Sequence, residues 1–453
     1  DAQLQTMLDR LSHRGPDGEG SQALPQVHGK LGHRRLAIID PIGGQQPIPD
    51  TQQPEDRAIV SNGMLYNYRQ LRDRYSGETF RTSSDAESIF KTCLAEQESG
   101  VKELDGMFAF LVVDGDHLIA ARDSIGIKPL YYAQEQGQLL FASEIKAFLG
   151  LAENVKEFPA GHVLSADLST GETTLEPYYS IPTPSAEITD VDTAIQELRE
   201  TLEASVVKRL QSDVPLGCFL SGGLDSSIIT ALACRHHPDM HTFAVGVEGS
   251  NDLEASRLVA KHLGTQHHAF VITAEDVRQV LSKILYHLES YDRDLVRSSV
   301  PCWFVSQLAA QYVTVVLTGE GADELFAGYA YHKTYADGPS LMHELHRSLG
   351  AMHNINLQRV DRITMAHGLE ARVPFLDRDM IRLGMRIAPE LKLPPGRKLG
   401  DEKWILRKAF EDLLPREIVW RDKQQFDEGS GLSDLLQQIV PETIEEKPLP
   451  DGR

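Results

Sequence analysis

Cysteine is scarce in this chain of 453 residues, and its few copies are scattered. The four cysteines, Cys93, Cys218, Cys234 and Cys302, form no CxxC pair. This spacing argues against a zinc site and against a disulfide-stabilised secreted scaffold. We interpret all four as buried structural thiols of a protein in a reducing, cytoplasmic setting.

Excess positive charge and long apolar runs are missing too. The 66 acidic residues outnumber the 45 Lys and Arg, which gives a net charge of -21. Because nucleic acid is bound by Lys and Arg that meet its phosphates, this balance excludes non-specific nucleic-acid binding. No apolar run reaches the roughly 18 residues of a membrane span, and the first residues lack the pattern of a signal peptide. The expected partners are therefore small molecules, and an anionic ligand must be held locally.

The chain is too long for one ordinary core, and its character changes midway. Residues 1–165 have the alternation and turns of strands and hairpins, with a helix predicted at residues 85–95, which is typical of a layered α+β domain. Residues 166–189 are rich in Ser, Thr and Pro and are predicted to form a linker. From residue 190 to 453 strands alternate with helices, which predicts an α/β domain with a parallel sheet.

The predicted elements of the second domain indicate where its site lies. Apolar residues recur at every third or fourth position from Val191 to Leu210, which predicts an amphipathic helix capped by Asp190. The strands are predicted at residues 214–220, 242–247, 268–273 and 313–317. Parallel sheets bind ligands at the carboxyl ends of their strands, so the residues that follow these strands are the candidates.

The strongest motif is SGGLDSS at residues 221–227, which follows a predicted strand and opens a helix. Its adjacent glycines permit a tight turn close to a ligand, and Ser226, Ser227 and the first helix amides can donate to phosphate oxygens. Asp225 has the same charge sign as phosphate, so it implies a bridging Mg²⁺. The GxxxxGK[ST] spacing of a Walker loop is not found. An ordinary Ser/Gly-rich turn is the alternative interpretation.

This motif resembles the pyrophosphate loop of the ATP pyrophosphatases, which cleave ATP between the α and β phosphates and adenylylate their substrate. A second acidic turn, TGEGADE at residues 318–324, follows the strand at 313–317. If the two strands are neighbours, Asp323 can share the metal ion with Asp225, and Glu320 can order an adenylate intermediate. Carboxylates at a helix start also arise as simple partners of the helix dipole.

The motifs of the second half resemble, in order, those of the glutamine-hydrolysing asparagine synthetases. They include FAVG at 243–246, HLGT at 262–265, GLEARVPFLD at 368–377 and WILR at 404–407. With the loop, the resemblance implies an ATP site made of Leu220, Ser221, Gly222, Gly223, Asp225, Ser226, Ser227, Val245, Thr318 and Gly319. We interpret residues 370–377 as shaping a core turn.

The resemblance also implies two catalytic residues of the second domain. Glu320 would support formation of the acyl-adenylate. Lys403 would neutralise the charge that develops as pyrophosphate leaves, although a lone lysine in a helix otherwise indicates a solvated face.

The first half resembles the glutaminase half of the same family, an N-terminal-nucleophile amidotransferase domain of sandwiched antiparallel sheets. The matching motifs include HRGPD at 13–17, RRLAIID at 34–40 and RDSIGIKPL at 122–130. By resemblance, the glutamine site consists of Arg35, Ile38, Asn62, Gly63, Met64 and Asp85. Arg35 would bind the α-carboxylate as a bidentate fork, Asp85 would bind the α-ammonium, and Asn62 with the Gly63 amide would form the oxyanion hole.

Two features of the first half depart from the family pattern. The family's nucleophile is an N-terminal Cys whose own α-amine can serve as base, whereas this chain begins at Asp1. We expect Met-Cys-Gly and the opening segment to precede it; the alternative is an inactive glutaminase and an enzyme that uses free ammonia. The family's Asn-Gly-Glu reads Asn62-Gly63-Met64 here, which should weaken glutamine binding.

A third departure concerns the acceptor of the amide nitrogen. Asp294 and Leu295 stand where the family typically has a Thr pair, and an added negative charge fits a dicarboxylate poorly. Aspartate is the leading acceptor, and an enzyme that amidates another carboxylic acid is the alternative. A catalytically silent nucleotide-binding homologue is the rival from a different class. The family also suggests a homodimer.

Overall fold

The computed structural model describes residues 2–135, 137–335, 337–394, 402–424 and 426–436. The strands of the first half are β1 (Gly18–Leu24), β2 (Gly29–Arg35), β3 (Ile48–Pro49), β4 (Arg57–Leu65), β5 (Gly106–Asp114), β6 (His117–Arg122), β7 (Tyr131–Glu135), β8 (Gln138–Ala142), β9 (Lys156–Glu157), β10 (His162–Asp167) and β11 (Thr173–Pro177). The helices are α1 (Ala2–Arg10), α2 (Tyr68–Arg74) and α3 (Asp85–Glu96).

The sheets of this first half are antiparallel. The described strands form a six-stranded sheet of order β11-β10-β6-β5-β4-β3, a three-stranded sheet of order β8-β7-β9 and the pair β1-β2. Val60 and Val113 of the large sheet share a buried apolar cluster with Leu31 of β2, and Tyr132 of β7 packs against it. The sheets therefore pack on one another, and the predicted fold class of this half is confirmed.

The second half contains most of the helices. In chain order its elements are α4 (Val191–Arg209), β12 (Leu216–Phe219), α5 (Leu224–His236), β13 (His241–Gly246), α6 (Asn251–Leu263), β14 (Gln266–Val271), α7 (Ala274–Leu288), α8 (Arg293–Ala309), β15 (Val315–Leu317), α9 (Ala322–Phe326), α10 (Gly338–Ala351), α11 (Asn356–Met365), β16 (Glu370–Arg372), α12 (Arg378–Arg386), α13 (Pro389–Lys392), α14 (Trp404–Ala409), α15 (Arg416–Val419) and α16 (Phe426–Gly429). Across the described ranges, no helix is both long and apolar enough to cross a membrane.

The strands of this half form a parallel sheet of order β14-β13-β12-β15-β16, which confirms the predicted α/β class. Because β12 and β15 are neighbours, the two acidic turns that follow them emerge side by side at the carboxyl edge. Asp190 caps α4 as expected, with its Oδ2 accepting from the amide of Thr193 at 2.9 Å.

Two strands lie at positions where the sequence did not predict a strand. β11 falls inside the predicted linker and pairs with β10 in the large sheet. β16 adds an edge strand to the parallel sheet beside β15. The division into residues 1–165, 166–189 and 190–453 stays a prediction, and the end of that last range, residues 437–453, lies outside the described residues.

The two halves meet through buried charges. Arg14 lies 2.8 Å from the carboxylate oxygens of both Glu144 and Asp361, and Arg362 lies 3.2 Å from Glu144 and 3.0 Å from Glu289. Burial opposes ionisation of Glu144, but Arg362, His13 and Arg14 outweigh it and hold the pKa of its carboxyl well below the ordinary value. Buried ion pairs require close geometry, so this network fixes the contact between the halves.

Candidate active sites

The SGGLDSS loop turns directly from β12 into α5. Its conformation is held by the Ser221 hydroxyl, which accepts from the Gly223 amide at 3.2 Å and lies 3.1 Å from the Ser226 hydroxyl. Gly222 has φ +76°, and a Cβ there would lie 2.5 Å from the Cβ of Ala255 on α6. Only glycine fits this position, and the loop presents the free first amides of α5 to the cleft.

The second acidic turn lies against the first. A Cβ on Gly319 would lie 2.8 Å from the Cβ of Asp225, so the two backbones touch because this position has no side chain. The Thr318 hydroxyl accepts from the Glu320 amide at 3.2 Å. Gly321 has φ +97° and begins α9, which carries Asp323. The predicted meeting of the two turns is therefore present.

Lysines bridge the carboxylates of the two turns. Nζ of Lys403 lies 2.5 Å from Oδ2 of Asp225 and 2.6 Å from Oδ1 of Asp323. Nζ of Lys423 lies 2.8 Å from Oδ2 of Asp323. Lys403 is 1% exposed and has φ +58°, in the left-handed region. A residue held in this way indicates a functional constraint, and the alternative of a solvated lysine does not apply.

The charges of this cluster shift the pKa values of its members. Burial opposes ionisation of Asp323, but Lys403 and Lys423 outweigh it and lower the pKa of its carboxyl. Burial and the charge of Asp323 raise the pKa of Glu324 to about 7. Burial opposes the charge on Lys423, but Asp323 and Asp225 raise the pKa of its ammonium above the ordinary value. Lys423 thus meets an incoming anion as a cation.

The two acidic turns and the two lysines line a cleft of about 300 Å³. Its walls contain Leu220, Ser221, Gly223, Asp225, Ser226, Val245, Thr318, Gly319, Glu320, Asp323 and Lys403, all of them predicted. Two further predicted residues do not line it. Gly222 packs on α6, and the side chain of Ser227 is fully buried beneath the loop.

The other end of the cleft carries a mixture of charges. Glu320 forms an ion pair with Arg359 of α11. Asp292 caps α8, accepting from the amides of Asp294 and Leu295 at 3.0 and 2.9 Å. Asp294 and Leu295 both line the cleft, so the stretch in which this chain departs from the family pattern faces the candidate acceptor site.

A magnesium ion fits the two aspartates only together with a nucleotide. Among the described residues, no group of three or more His, Cys, Asp or Glu is placed to hold a metal ion. Oδ1 of Asp225 is buried and has no hydrogen-bond partner in the described ranges. Mg²⁺ is usually bound by one or two carboxylates plus substrate phosphates and water. Asp225 and Asp323 therefore provide enough protein ligands for a magnesium ion that is bound together with a nucleotide.

A second cleft, of about 130 Å³, lies in the first half. All of the predicted glutamine-site residues line it: Arg35, Ile38, Asn62, Gly63, Met64 and Asp85. Nδ2 of Asn62 is buried and finds no acceptor in the described part of the chain. Gly63 has φ +135°, and a Cβ there would lie 2.0 Å from the carbonyl oxygen of Met107. An unpaired buried donor is costly, so Asn62 is placed to donate to a ligand.

Arg35 and Asp85 supply opposite charges to this cleft. The Arg35 guanidinium donates to the carbonyls of Pro41 at 2.8 Å and Asp40 at 2.6 Å, which fixes its plane. Oδ2 of Asp85 accepts from the Leu65 amide at 2.8 Å, and burial raises the pKa of this carboxyl to about 6. The cleft therefore contains one basic and one acidic side chain among its lining residues.

Two basic residues of the cleft and a hydrogen-bonded trio at its wall were not predicted from the sequence. Lys423 and Arg421 both line the cleft. Tyr329 donates from its hydroxyl to Glu324 at 2.6 Å, and Nδ2 of Asn356 donates to both, at 2.9 and 3.0 Å. The sequence signal for the two basic residues was their spacing, since Arg421 and Lys423 lie two residues apart in a polar segment. A site for a multiply charged anion needs more than one cation.

The fold and the two clefts define an amidotransferase joined to a nucleotide-dependent ligase. The family model described as glutamine amidotransferase domain matches residues 1–179, and the model described as asparagine synthase matches residues 197–339 and 334–452. The chain belongs to the asparagine synthase family. Relatives that it matches include proteins described as asparagine synthetase [glutamine-hydrolyzing].

Three of these relatives show how far the similarity extends. The protein numbered 2 of Arabidopsis thaliana is 39% identical over 444 residues, which cover 94% of this chain and 75% of the relative. The protein of Sandersonia aurantiaca is 39% identical, covering 94% of this chain and 83% of the relative. The protein of Zea mays is 40% identical over 443 residues, covering 93% of this chain and 74% of the relative.

Proposed function

We propose that the protein converts a carboxylic acid, with aspartate as the first candidate, into a carboxamide, using ATP for activation and glutamine as the nitrogen donor. The observation that carries this proposal is the position of Lys403, whose Nζ lies 2.5 Å from Asp225 and 2.6 Å from Asp323 at the carboxyl edge of a parallel sheet. Family membership supports the same reaction.

The first step is adenylylation of the acceptor. A carboxylate oxygen of the acceptor attacks the α-phosphorus of ATP, and pyrophosphate leaves with the bonding electron pair. The amides at the start of α5 and the Ser226 hydroxyl donate to the phosphate oxygens. Lys403 and Lys423 neutralise the charge that collects on pyrophosphate, which is stabilisation of the kind that lowers a barrier most.

The metal ion would be held by Asp225 and Asp323. Bound there with the nucleotide phosphates, Mg²⁺ would neutralise phosphate charge and orient the leaving group. Lys403 and Lys423 contact these same carboxylates, so each ammonium lies beside the position at which the phosphates would bind.

The second step transfers nitrogen. In residues 1–165 the glutamine α-carboxylate binds Arg35 and its ammonium binds Asp85, while Nδ2 of Asn62 and the Gly63 amide stabilise the oxyanion at the side-chain amide. Water replaces the nitrogen on the side-chain carbonyl carbon of glutamine, so the C–N bond breaks and glutamate and ammonia form. Ammonia then passes inside the protein to residues 190–453, adds to the acyl carbon, and AMP leaves as the proton is lost. Glu320, paired with Arg359, lies beside this reaction.

The identity of the acceptor is the finer part of the proposal. Asp294 lines the acceptor end of the cleft and is 74% exposed there, which adds negative charge where a dicarboxylate would bind. An enzyme that amidates a larger or less acidic acid is therefore the second candidate. Acceptor-dependent pyrophosphate release over a panel of aspartate, glutamate and monocarboxylic amino acids, with ammonium chloride as nitrogen source, separates the two.

The same assay tests the chemistry. Lys403→Met and Lys423→Met are each expected to lower kcat for pyrophosphate release by about 10²–10³-fold, the usual cost of removing one charge-stabilising group. The control is Lys261→Met, because Lys261 is exposed on α6. If the wild-type protein forms no AMP with any acid plus ammonium, a catalytically silent nucleotide-binding protein replaces this proposal.

The surroundings of the enzyme belong to the proposal as well. The four cysteines are free thiols, which supports a reducing compartment such as the cytoplasm. We infer a homodimer from the family, and light scattering of the purified protein tests it. The nitrogen source is tested by comparing turnover with glutamine and turnover with ammonium salts.

A further inference from the structure

Arg421 joins the nucleotide loop to two other parts of the fold. Its Nη1 donates to the carbonyl of Gly222 at 3.3 Å, within the SGGLDSS loop. Its Nη2 donates to Oδ1 of Asp252 on α6 at 2.9 Å and to Oε1 of Gln424 at 3.0 Å. One guanidinium therefore contacts the loop, the helix beneath it and the segment that carries Lys423.

The SGGLDSS loop, α6 and the residues near Gly429 pack closely on one another. Gly222 lies against Ala255 of α6. Asp252 is buried, and a Cβ on Gly429 would lie 2.4 Å from its Oδ1. The Val247 amide donates to the carbonyl of Ser430 at 2.8 Å. Ser430 is thus bonded to the residue that follows β13, and Arg421 is bonded to the loop.

We propose that Arg421 is a positioning residue for ATP, which holds the SGGLDSS loop on α6 through Gly222 and Asp252 and thereby aligns the loop amides with Lys423. The planar guanidinium serves two acceptors at fixed angles, whereas an ammonium cannot reproduce this fork. Loss of Arg421 frees the loop carbonyl and leaves Asp252 as a buried, unpaired acid. The inference rests on the proposed function, because the loop is taken to bind ATP phosphates.

Hydrogen exchange measures the loop directly. In Arg421→Ala, the amides of residues 221–227 are expected to exchange about ten-fold or more faster than in the wild type, as expected for loss of a charged hydrogen bond. The amides of β12 and β13 are expected to exchange at the wild-type rate. Arg421→Lys is expected to resemble Arg421→Ala, and Asp252→Asn is expected to lie between them and the wild type.

Kinetics supply the second readout. Arg421→Ala is expected to raise KM for ATP about ten-fold or more in the pyrophosphate-release assay. KM for the acceptor is expected to change less than two-fold. Arg416→Ala is the matched control, because Arg416 is an exposed arginine just before the same segment, and it is expected to leave both readouts unchanged.

Unchanged exchange of residues 221–227 in Arg421→Ala overturns the proposal. Equal acceleration in β12 and β13 also overturns it, because that pattern means general loss of stability. Wild-type loop protection in Arg421→Lys contradicts the requirement for a fork. If the wild-type protein releases no pyrophosphate, the proposed function fails, and hydrogen exchange still decides whether Arg421 orders the loop.

Discussion

Asp85 illustrates how one buried carboxyl sets a pH limit on ligand binding. Its burial raises the pKa to about 6, and only the ionised form attracts the α-ammonium of glutamine. Glutamine affinity is therefore expected to be constant above about pH 7 and to weaken as pH falls through 6, approaching ten-fold per pH unit. Calorimetric measurement of Kd between pH 5 and 8 checks this.

Two variants complete that experiment. Asp85→Asn is expected to bind glutamine weakly at every pH, without the transition near pH 6. Glu55→Gln changes an exposed carboxyl outside the cleft and is expected to keep the wild-type profile. A wild-type transition that persists in Asp85→Asn would assign the titration to another group.

Among single residues, those that belong to a local sequence motif could be predicted. Asp225 and Ser226 were predictable as cleft residues because a Gly-rich turn between a strand and a helix lies at the carboxyl edge of a parallel sheet. Lys423 was not, because its meaning depends on Asp323, which lies 2.8 Å away in space and 100 residues away in the chain. Long-range pairing of single charges leaves no periodic signal.

Among the elements, the turn from β12 into α5 depends on one small residue. Gly222→Ala introduces a Cβ 2.5 Å from Ala255 at a φ of +76°. We expect it to lower the free energy of unfolding by about 1–3 kcal/mol, the range for overpacking, and to raise KM for ATP by displacing the loop. Chemical denaturation and the pyrophosphate assay measure the two effects.

Gly249 provides the matched control for that substitution. It has φ +74°, but a Cβ there would meet no atom within 4 Å. Gly249→Ala therefore carries the same backbone strain without the collision, and KM for ATP is expected to stay at the wild-type value. Equal effects of the two substitutions on KM would show that backbone strain, and not contact with α6, governs the loop.

The elements also show why part of the fold could not be predicted. The helix α4 and the strands β12, β13 and β14 were all predicted within a few residues, because their apolar patterns extend through the element. β16 has only three residues. β11 has five residues, and all five are exposed. Such strands exist because a neighbouring strand offers hydrogen bonds, and this depends on tertiary context more than on composition.

Across the whole molecule, the buried charges between the halves are expected to control stability. Glu144→Gln leaves Arg14, Arg362 and Lys146 without their shared anion, at 2.8, 3.2 and 2.5 Å. We expect a loss of about 3–5 kcal/mol, as for removal of one partner from a buried ion pair. Guanidinium denaturation of the wild type and the variant measures it.

The effect has a defined dependence on pH. Because the pKa of Glu144 is lowered by its cations against the effect of burial, its contribution is complete at neutral pH. It is lost as pH falls below the ordinary carboxyl range. Asp379→Asn removes an exposed pair with Arg382 and is expected to change stability little. A similar stability for Glu144→Gln and Asp379→Asn would contradict a structural role for the interface.

The edge strand β16 adjoins both clefts. Glu370 lines the glutamine cleft, and two residues later the carbonyl of Arg372 accepts from the amide of Thr318 at 2.9 Å, at the start of the turn that lines the nucleotide cleft. One short strand thus adjoins both clefts. A ligand that shifts β16 from one cleft is therefore expected to change the width of the other.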